Sequence, residues 1–386
     1  MVQFTEEHHA FRKMVRDVVE REIAPHADEW ERAGLFPAHE LFARLGELGL
    51  LGLEYDPAYG GQGADHLFSV ILCEELAGSG CGGVPMAIGV QTMMATPSLA
   101  TFGSEELKQR YLAPAIRGRQ VAAIGVTEPD AGSDVAAIRT RAVRDGDEWV
   151  INGRKLYITN GVQADWVCLL ARTSDVPDGA PRHRGMSQLI VPTDSPGFRV
   201  SRKLDKLGQR SSDTAELALD DVRIPVSNTI GVEGRGFQQQ MAQFVVERMF
   251  AAYTAVGSQQ RALDRTRDYL RERTTFGQPL IANQYLAFRL AELAAEVDLL
   301  RYYNYATAEA YMRGENTTRQ ATIAKLKAGR LSREVADACM QFHGGIGYME
   351  ETWTARFFRD SRLTSIGGGA DEVMLQVLAA IDGFTP

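Results

Sequence analysis

Near the start of the chain, apolar residues recur every three or four positions, the period of a helix with one buried face. Phe11, Met14, Val15, Val18 and Val19 form one such set, and Leu41, Leu45 and Leu48 another. The spacing predicts helices through residues 1 to about 118, punctuated by Gly60-Gly61 and Gly63, the last covering 105–116 and closed at Gly118. From 121 to 224 the pattern changes to short β-rich runs at 121–126, 149–151, 166–170, 186–191 and 214–219. Pro177, Gly179, Pro181, Pro192, Pro196 and Pro225 separate or close them. Residues 139–151 read as two strands reversed at Asp145-Gly146, a dipeptide that tolerates the φ > 0 of a tight hairpin. After Gly234-Arg235-Gly236 the helical period returns and runs to about 273, then through 284–312, 318–342 and 371–381. Helices of this length with antiparallel connections make a bundle. The pattern is therefore α, then β, then α.

At 386 residues the chain exceeds one compact core, so two or three packed domains are expected. A net charge of −8 argues against nucleic acid or an anionic membrane as partner. Cys73, Cys81, Cys168 and Cys339 show no C-x-x-C pairing and no histidine at metal-ligand spacing, and read as reduced thiols of a cytosolic protein. Residues 1–10 are polar with no apolar core of a secretory signal, and no run approaches the ~20 apolar residues that span a bilayer. A cytoplasmic location without membrane insertion is the expectation.

The densest chemistry lies in two loops. Thr127-Glu128-Pro129-Asp130-Ala131-Gly132-Ser133-Asp134 follows one strand, and Tyr157-Ile158-Thr159-Asn160-Gly161 ends another. Hydroxyls and backbone N–H groups on loops held by strands suit a polar, planar ligand such as a flavin. This pair of motifs resembles the signature of the acyl-CoA dehydrogenases. Arg273-Thr274-Thr275-Phe276-Gly277, Gln341-Phe342-His343-Gly344-Gly345-Ile346-Gly347-Tyr348 and Arg356-Phe357-Phe358-Arg359-Asp360 resemble that family's later motifs in the same order. The resemblance covers essentially the whole chain. It implies an α+β multidomain fold: an N-terminal helical domain at 1–118, a middle β-barrel-like domain at 119–228, and a C-terminal four-helix bundle at 229–386.

The resemblance also implies a reaction, the FAD-dependent α,β-dehydrogenation of an acyl-CoA to a trans-2-enoyl-CoA. Such chemistry needs a base for the α-proton, donors for the developing enolate oxygen, and an acceptor for the β-hydride, here flavin N5. Many family members carry the base as a Glu in the loop before the last helix. Gly368 stands at that position here. A second group, resembling the isovaleryl- and long-chain enzymes, carries it on the first long bundle helix, where this chain has Glu247. The neighbours of Glu247 at helical spacing, Gln243, Phe244, Phe250 and Ala251, make a largely apolar face, and a carboxylate there is desolvated toward the range of a general base. Glu247 is thus the expected base. Asp371, the nearest acid to the vacant loop position, reads as favouring the dipole of the last helix.

By the same resemblance, Val126, Thr127, Tyr157 and Thr159 border the isoalloxazine, with Tyr157 replacing the family's usual Trp. Ser133, Arg248 and Gly368 belong to the substrate side. Arg273, Thr275, Phe276 and Gln284 resemble residues that reach the flavin of a neighbouring subunit. Gln341, Gly344, Gly345 and Glu372 resemble those closing over its pyrophosphate and adenosine. Ala370 and Val245 depart from the family, replacing a Thr and an Asp. The implied partners are an electron-transferring flavoprotein and further copies of the chain, as a homotetramer or homodimer; no metal is required. Two other readings stay open: an oxygen-using flavoenzyme of the same fold (acyl-CoA oxidase or monooxygenase), and a non-catalytic acyl-CoA- or flavin-binding assembly partner. The basic loop Arg182-His183-Arg184 reads as solvated, and His343 as a packed histidine.

Overall fold

A computed structural model describes residues 2–176 and 178–385; Met1, Pro177 and Pro386, and with them the strand separation expected at Pro177, lie outside the described residues. The first helix, α1 (Glu6–Val18), starts where the Thr5 hydroxyl accepts from His8 N and the His8 ring bonds back to Thr5 N. α2 (Ala27–Ala33), α3 (Ala38–Glu47), α4 (His66–Glu75), α5 (Gly83–Gly89), α6 (Pro97–Phe102), α7 (Glu105–Leu107) and α8 (Ala113–Ile116) complete the helical region. Val15, Val18, Leu41, Phe42 and Leu45 meet in its core, as their spacing predicts.

The middle region is one eight-stranded sheet. It comprises β1 (Ala122–Gly125), β2 (Arg141–Asp145), β3 (Glu148–Thr159), β4 (Trp166–Arg172), β5 (Met186–Pro192), β6 (Phe198–Lys203), β7 (Thr214–Pro225) and β8 (Thr229–Ile230). The paired order is β6-β7-β3-β2-β4-β5-β8, with β1 parallel to β4. β2 and β3 form the expected hairpin, with Gly146 at φ +61°. Two strands outrun their apolar signal: β3 and β7 each span 12 residues. Their outer faces carry Arg154, Asp220 and Asp221, which conceal the strand from an apolar count. β6 was not expected at all; Arg199, Arg202 and Lys203 are exposed along this edge strand, the charge that keeps an open edge from pairing further.

The C-terminal region begins with α9 (Gly236–Glu272), a helix of 37 residues. A hairpin of β9 (Thr274–Thr275) and β10 (Gln278–Pro279) leads to α10 (Gln284–Met312), α11 (Thr318–His343), α12 (Trp353–Ser361) and α13 (Asp371–Ile381). α11 packs against α9, α10 and α13. The expected succession of helical, β and helical bundle regions is therefore the observed one.

α9 is the common element. Met249, Phe250 and Tyr253 share a core with Leu67 and Val70 of α4 and with Trp166 and Ile190 of the sheet, while Val256 and Leu263 lie in the bundle core. Its first residue lies against β5: a Cβ on Gly236 would come within 2.5 Å of the Ser187 backbone. Gly236→Ala must therefore push helix and sheet apart. The expected cost is about 1–3 kcal/mol, as for other overpacked sites, read as a lowered melting midpoint. An unchanged midpoint would contradict this packing.

Candidate active site

The loop after β1 is held from below by a buried ion pair. Lys155 Nζ, fully buried on β3, donates to Glu128 Oε1 at 2.8 Å and to the Val126 carbonyl at 3.0 Å. Glu128 also accepts from the backbone N–H groups of Arg139 (2.6 Å) and Thr140 (2.9 Å). Burial pushes the Lys155 ammonium down to about 8, with Glu128 opposing. Burial likewise works against the Glu128 carboxylate, but Lys155 and those donors outweigh it and hold Glu128 below its ordinary value. Leu156 N donates to the Thr127 carbonyl at 2.8 Å, and at the far end of the loop Thr140 Oγ1 donates to the Arg154 carbonyl at 3.4 Å, so both ends are tied to β3. The register of β3 on β7 slips between Lys155 and Ile158, and within that bulge Tyr157 adopts φ +62° with its ring 67% exposed. Thr159 ends the strand, half-buried. Asn160, at φ +63° and buried, donates to the Ala87 and Ala122 carbonyls and fastens this corner to the helical region. Val126 and Thr127 are thus held beside the end of β3, the strand that carries Tyr157 and ends at Thr159. Ser133 lies exposed on the same loop.

α9 crosses beside this loop. Phe244 packs with the cluster containing Val126, Ala131 and Ile138, and Glu247 follows one turn later. Protein surrounds the Glu247 carboxyl, and the residue as a whole is only partly exposed. Burial pushes it up to about 7, against the nearby charges of Arg248 and Lys325. Across from it is the glycine turn before α13. Gly368 has φ +63°, and a Cβ there would lie 3.3 Å from Glu247 Oε1. Gly368 of the turn and Glu247 of the helix therefore face one point in space. Arg248 is buried, its Nη1 donating to Thr322 Oγ1 at 3.0 Å and its Nε without a partner among the described residues.

A second set of expected residues gathers elsewhere. Arg273 caps the end of α9, and Thr275 and Phe276 sit on the β9–β10 hairpin that follows, whose tip is Phe276 (φ +51°) and Gly277 (φ +77°). The Phe276 ring is wholly exposed. Gln284 opens α10, and Gln341 lies exposed at the end of α11. Gly344 and Gly345 follow, and a Cβ on either would meet nothing within 4 Å. Glu372 is exposed in the first turn of α13. Among the described residues no hydrogen bond joins this set to the loops of β1 and β3.

Other expectations resolve locally. His343 bonds through Nδ1 to the Cys339 carbonyl at 2.7 Å and stacks on Tyr269 at 4.2 Å, a packed histidine. Asp371, in the first turn of α13, pairs with Arg333 at 3.1 Å. The Arg182-His183-Arg184 loop is solvated, with Arg182 and Arg184 exposed; Arg182 also bonds Asp134 at 3.0 Å, and the His183 ring stacks on Phe237 at 4.7 Å. Among the described residues no group of His, Cys, Asp and Glu could hold a metal, and no helix is long and apolar enough to cross a membrane.

A carboxyl that burial raises to about 7, one turn from the packed loop after β1, is a group able to accept or give up a proton at neutral pH. The chain matches the acyl-CoA dehydrogenase N-terminal domain over residues 5–119, the middle domain over 123–222 and the C-terminal domain over 234–381. It is 39% identical to a probable acyl-CoA dehydrogenase of Bacillus subtilis, over 98% of both chains. It is 36% identical to the mitochondrial long-chain specific acyl-CoA dehydrogenase of Sus scrofa, over 97% of this chain and 86% of that one. A crystal structure of a putative acyl-CoA dehydrogenase from Mycobacterium smegmatis superposes with a TM-score of 0.95 at 44% identity, covering 99% of each chain. The chain belongs to the acyl-CoA dehydrogenase family, and is an enzyme of that class of FAD-dependent oxidoreductases.

Sequence reasoning missed Lys155 and Lys325, since a lysine ordinarily reads as a solvated surface residue. A signal existed for Lys325: its neighbours at helical spacing are Ala321, Thr322, Ala328 and Gly329, a small and uncharged face. Lys155→Met leaves Glu128 buried without its cation, which typically costs about 3–5 kcal/mol. The expected result is a lowered melting midpoint together with faster loss of flavin on dilution; a variant that keeps both at wild-type values would contradict the anchoring role.

Proposed function

We propose that this chain binds FAD and removes two hydrogens from the α and β carbons of an acyl-CoA thioester, yielding a trans-2-enoyl-CoA, with Glu247 taking the α-proton. The observation that carries this reading is the Glu247 carboxyl: raised by burial to about 7, one turn from the packed loop of Val126, and facing a turn that bears no side chain at Gly368. A base matched to neutral pH is largely free to accept a proton there, yet basic enough to hold it. Bound FAD would supply the acceptor for the β-hydrogen, received as hydride.

The residues fit that cofactor. The loop hydroxyls of Thr127 and Thr159 and the exposed Tyr157 ring offer polar edges and an aromatic plane to the isoalloxazine, on a loop that the Lys155–Glu128 pair keeps rigid. Ser133 and Arg248 would serve the thioester side. A backbone N–H at Gly368 or beside Glu247 would hold the thioester oxygen. The open backbone at Gly344 and Gly345 allows close approach of phosphate, and Arg273 supplies a charge for it.

Assembly follows from the second set of residues. Phe276, Gln284 and Gln341 project from the bundle rather than toward their own chain's loops, so they would complete the flavin site of another copy. Tyr285, Phe288, Leu299 and Tyr302 leave apolar surface exposed along α10, the kind of face a neighbouring copy covers. A homotetramer or homodimer is the form we propose, with an electron-transferring flavoprotein as the reoxidant.

The test is anaerobic mixing of the yellow protein with a panel of acyl-CoAs, following the oxidised-flavin absorbance. Glu247→Gln should slow bleaching by about 10²–10⁴-fold, the usual worth of a positioned base. Since the base must be ionised, the wild-type rate should rise with pH and level off above 7, falling at pH 6 to roughly a tenth of its plateau. Bleaching by the Gln variant at the wild-type rate would move the base elsewhere. A protein that no acyl-CoA bleaches would point to a carrier-bound thioester, and oxygen uptake with substrate would replace the flavoprotein acceptor.

A further inference from the structure

We propose that Lys325 is a positioning residue for the dehydrogenation, holding the Gly368–Gly369 turn against Glu247 while its ammonium charge governs when that carboxylate ionises. The inference rests on the reading of Glu247 as the base. Lys325 belongs to the middle of α11 and its side chain is fully buried, an unusual place for an ammonium group. Among the described residues it forms no salt bridge; its Nζ donates to the carbonyl of Gly369. That carbonyl belongs to the left-handed turn, Gly368 at φ +63° and Gly369 at φ +95°, whose first residue approaches Glu247 Oε1. Lysine, turn and carboxylate thus form a short relay across three segments of the bundle.

The charges around the relay come from each packed element. α9 contributes Glu247 and Arg248, and α13 contributes Asp371 and Glu372; the Asp371 carboxylate is itself paired with Arg333 of α11. Burial lowers the Lys325 ammonium to about 8, and Asp371 and Glu247 oppose that shift, so at neutral pH Lys325 still carries most of its charge. That charge acts on Glu247 in the direction opposite to burial, favouring the ionised base. Without it the carboxyl would retain its proton to higher pH and be a slower base at neutral pH.

The experiment is the pH profile of substrate-driven flavin bleaching in the assembled, flavin-loaded enzyme, for wild type, Lys325→Met, Lys325→Arg and Glu247→Gln. Lys325→Met should move the acid limb to higher pH by about one unit, which slows bleaching at pH 7 about fivefold and leaves the alkaline plateau within about twofold. Lys325→Arg, keeping the charge, should return the limb toward wild type. A yellow Lys325→Met enzyme whose acid limb coincides with wild type would overturn the proposal; should that variant not fold, Lys325→Gln keeps a donor without the charge and gives the same comparison. Glu247→Gln separates the two readings. If it bleaches normally, the base is elsewhere and the site reading fails; if it is inert while Lys325→Met titrates like wild type, the role of the lysine alone fails.

Discussion

Ionising a carboxyl group away from water costs several kcal/mol unless neighbouring charge or hydrogen bonds offset it. Glu247 lives under that constraint. Its neighbours along α9 make a largely apolar face, no hydrogen bond to protein offsets the burial among the described residues, and the cations beside it, Arg248 and Lys325, offset only part of it. The balance lies near neutrality, where a carboxylate works as a base rather than as a surface charge. Arg248 is itself lowered by burial and turned to Thr322, so the two charged side chains adjacent in sequence serve different neighbours.

Everything around the carboxylate serves to keep that balance. α9 must be long because it meets the sheet at Gly236, the helical region at Phe250 and Tyr253, and the bundle beyond Val256. The turn before α13 must be bare because a side chain at Gly368 would compete with the carboxylate for the same space. The loop after β1 must be stiff, and a second buried pair, Lys155 with Glu128, stiffens it. Buried lysines thus appear twice with one logic: each fixes a backbone carbonyl of a loop that borders the site, Val126 in one case and Gly369 in the other.

The helical periodicity around Glu247 was legible in the sequence because α9 is amphipathic there, and the neighbours at three and four positions foretold the desolvation that burial brings about. The hairpin at Asp145-Gly146 was legible for the same local reason. β6 and the outer halves of β3 and β7 were not, since their exposed faces carry charge and the apolar count stops short of the paired backbone. The roles of Lys155 and Lys325 depend on partners 27 and 44 positions away, which no local pattern reveals. The separation of Phe276 and Gln284 from Thr127 and Thr159 was implied by the resemblance, which assigned the first pair to a neighbouring subunit's flavin, and not by any local pattern of the chain.

The most direct measurement is the titration of the Glu247 carboxyl itself, by infrared difference spectroscopy of the flavin-loaded enzyme, with Glu247→Gln identifying the band. The account predicts a protonated-carboxyl C=O band that disappears as pH rises through about 7, and that the Gln variant lacks. A Glu247 band already gone below pH 5 would mean an ordinary solvated carboxylate, and would contradict the claim that burial makes this residue the base.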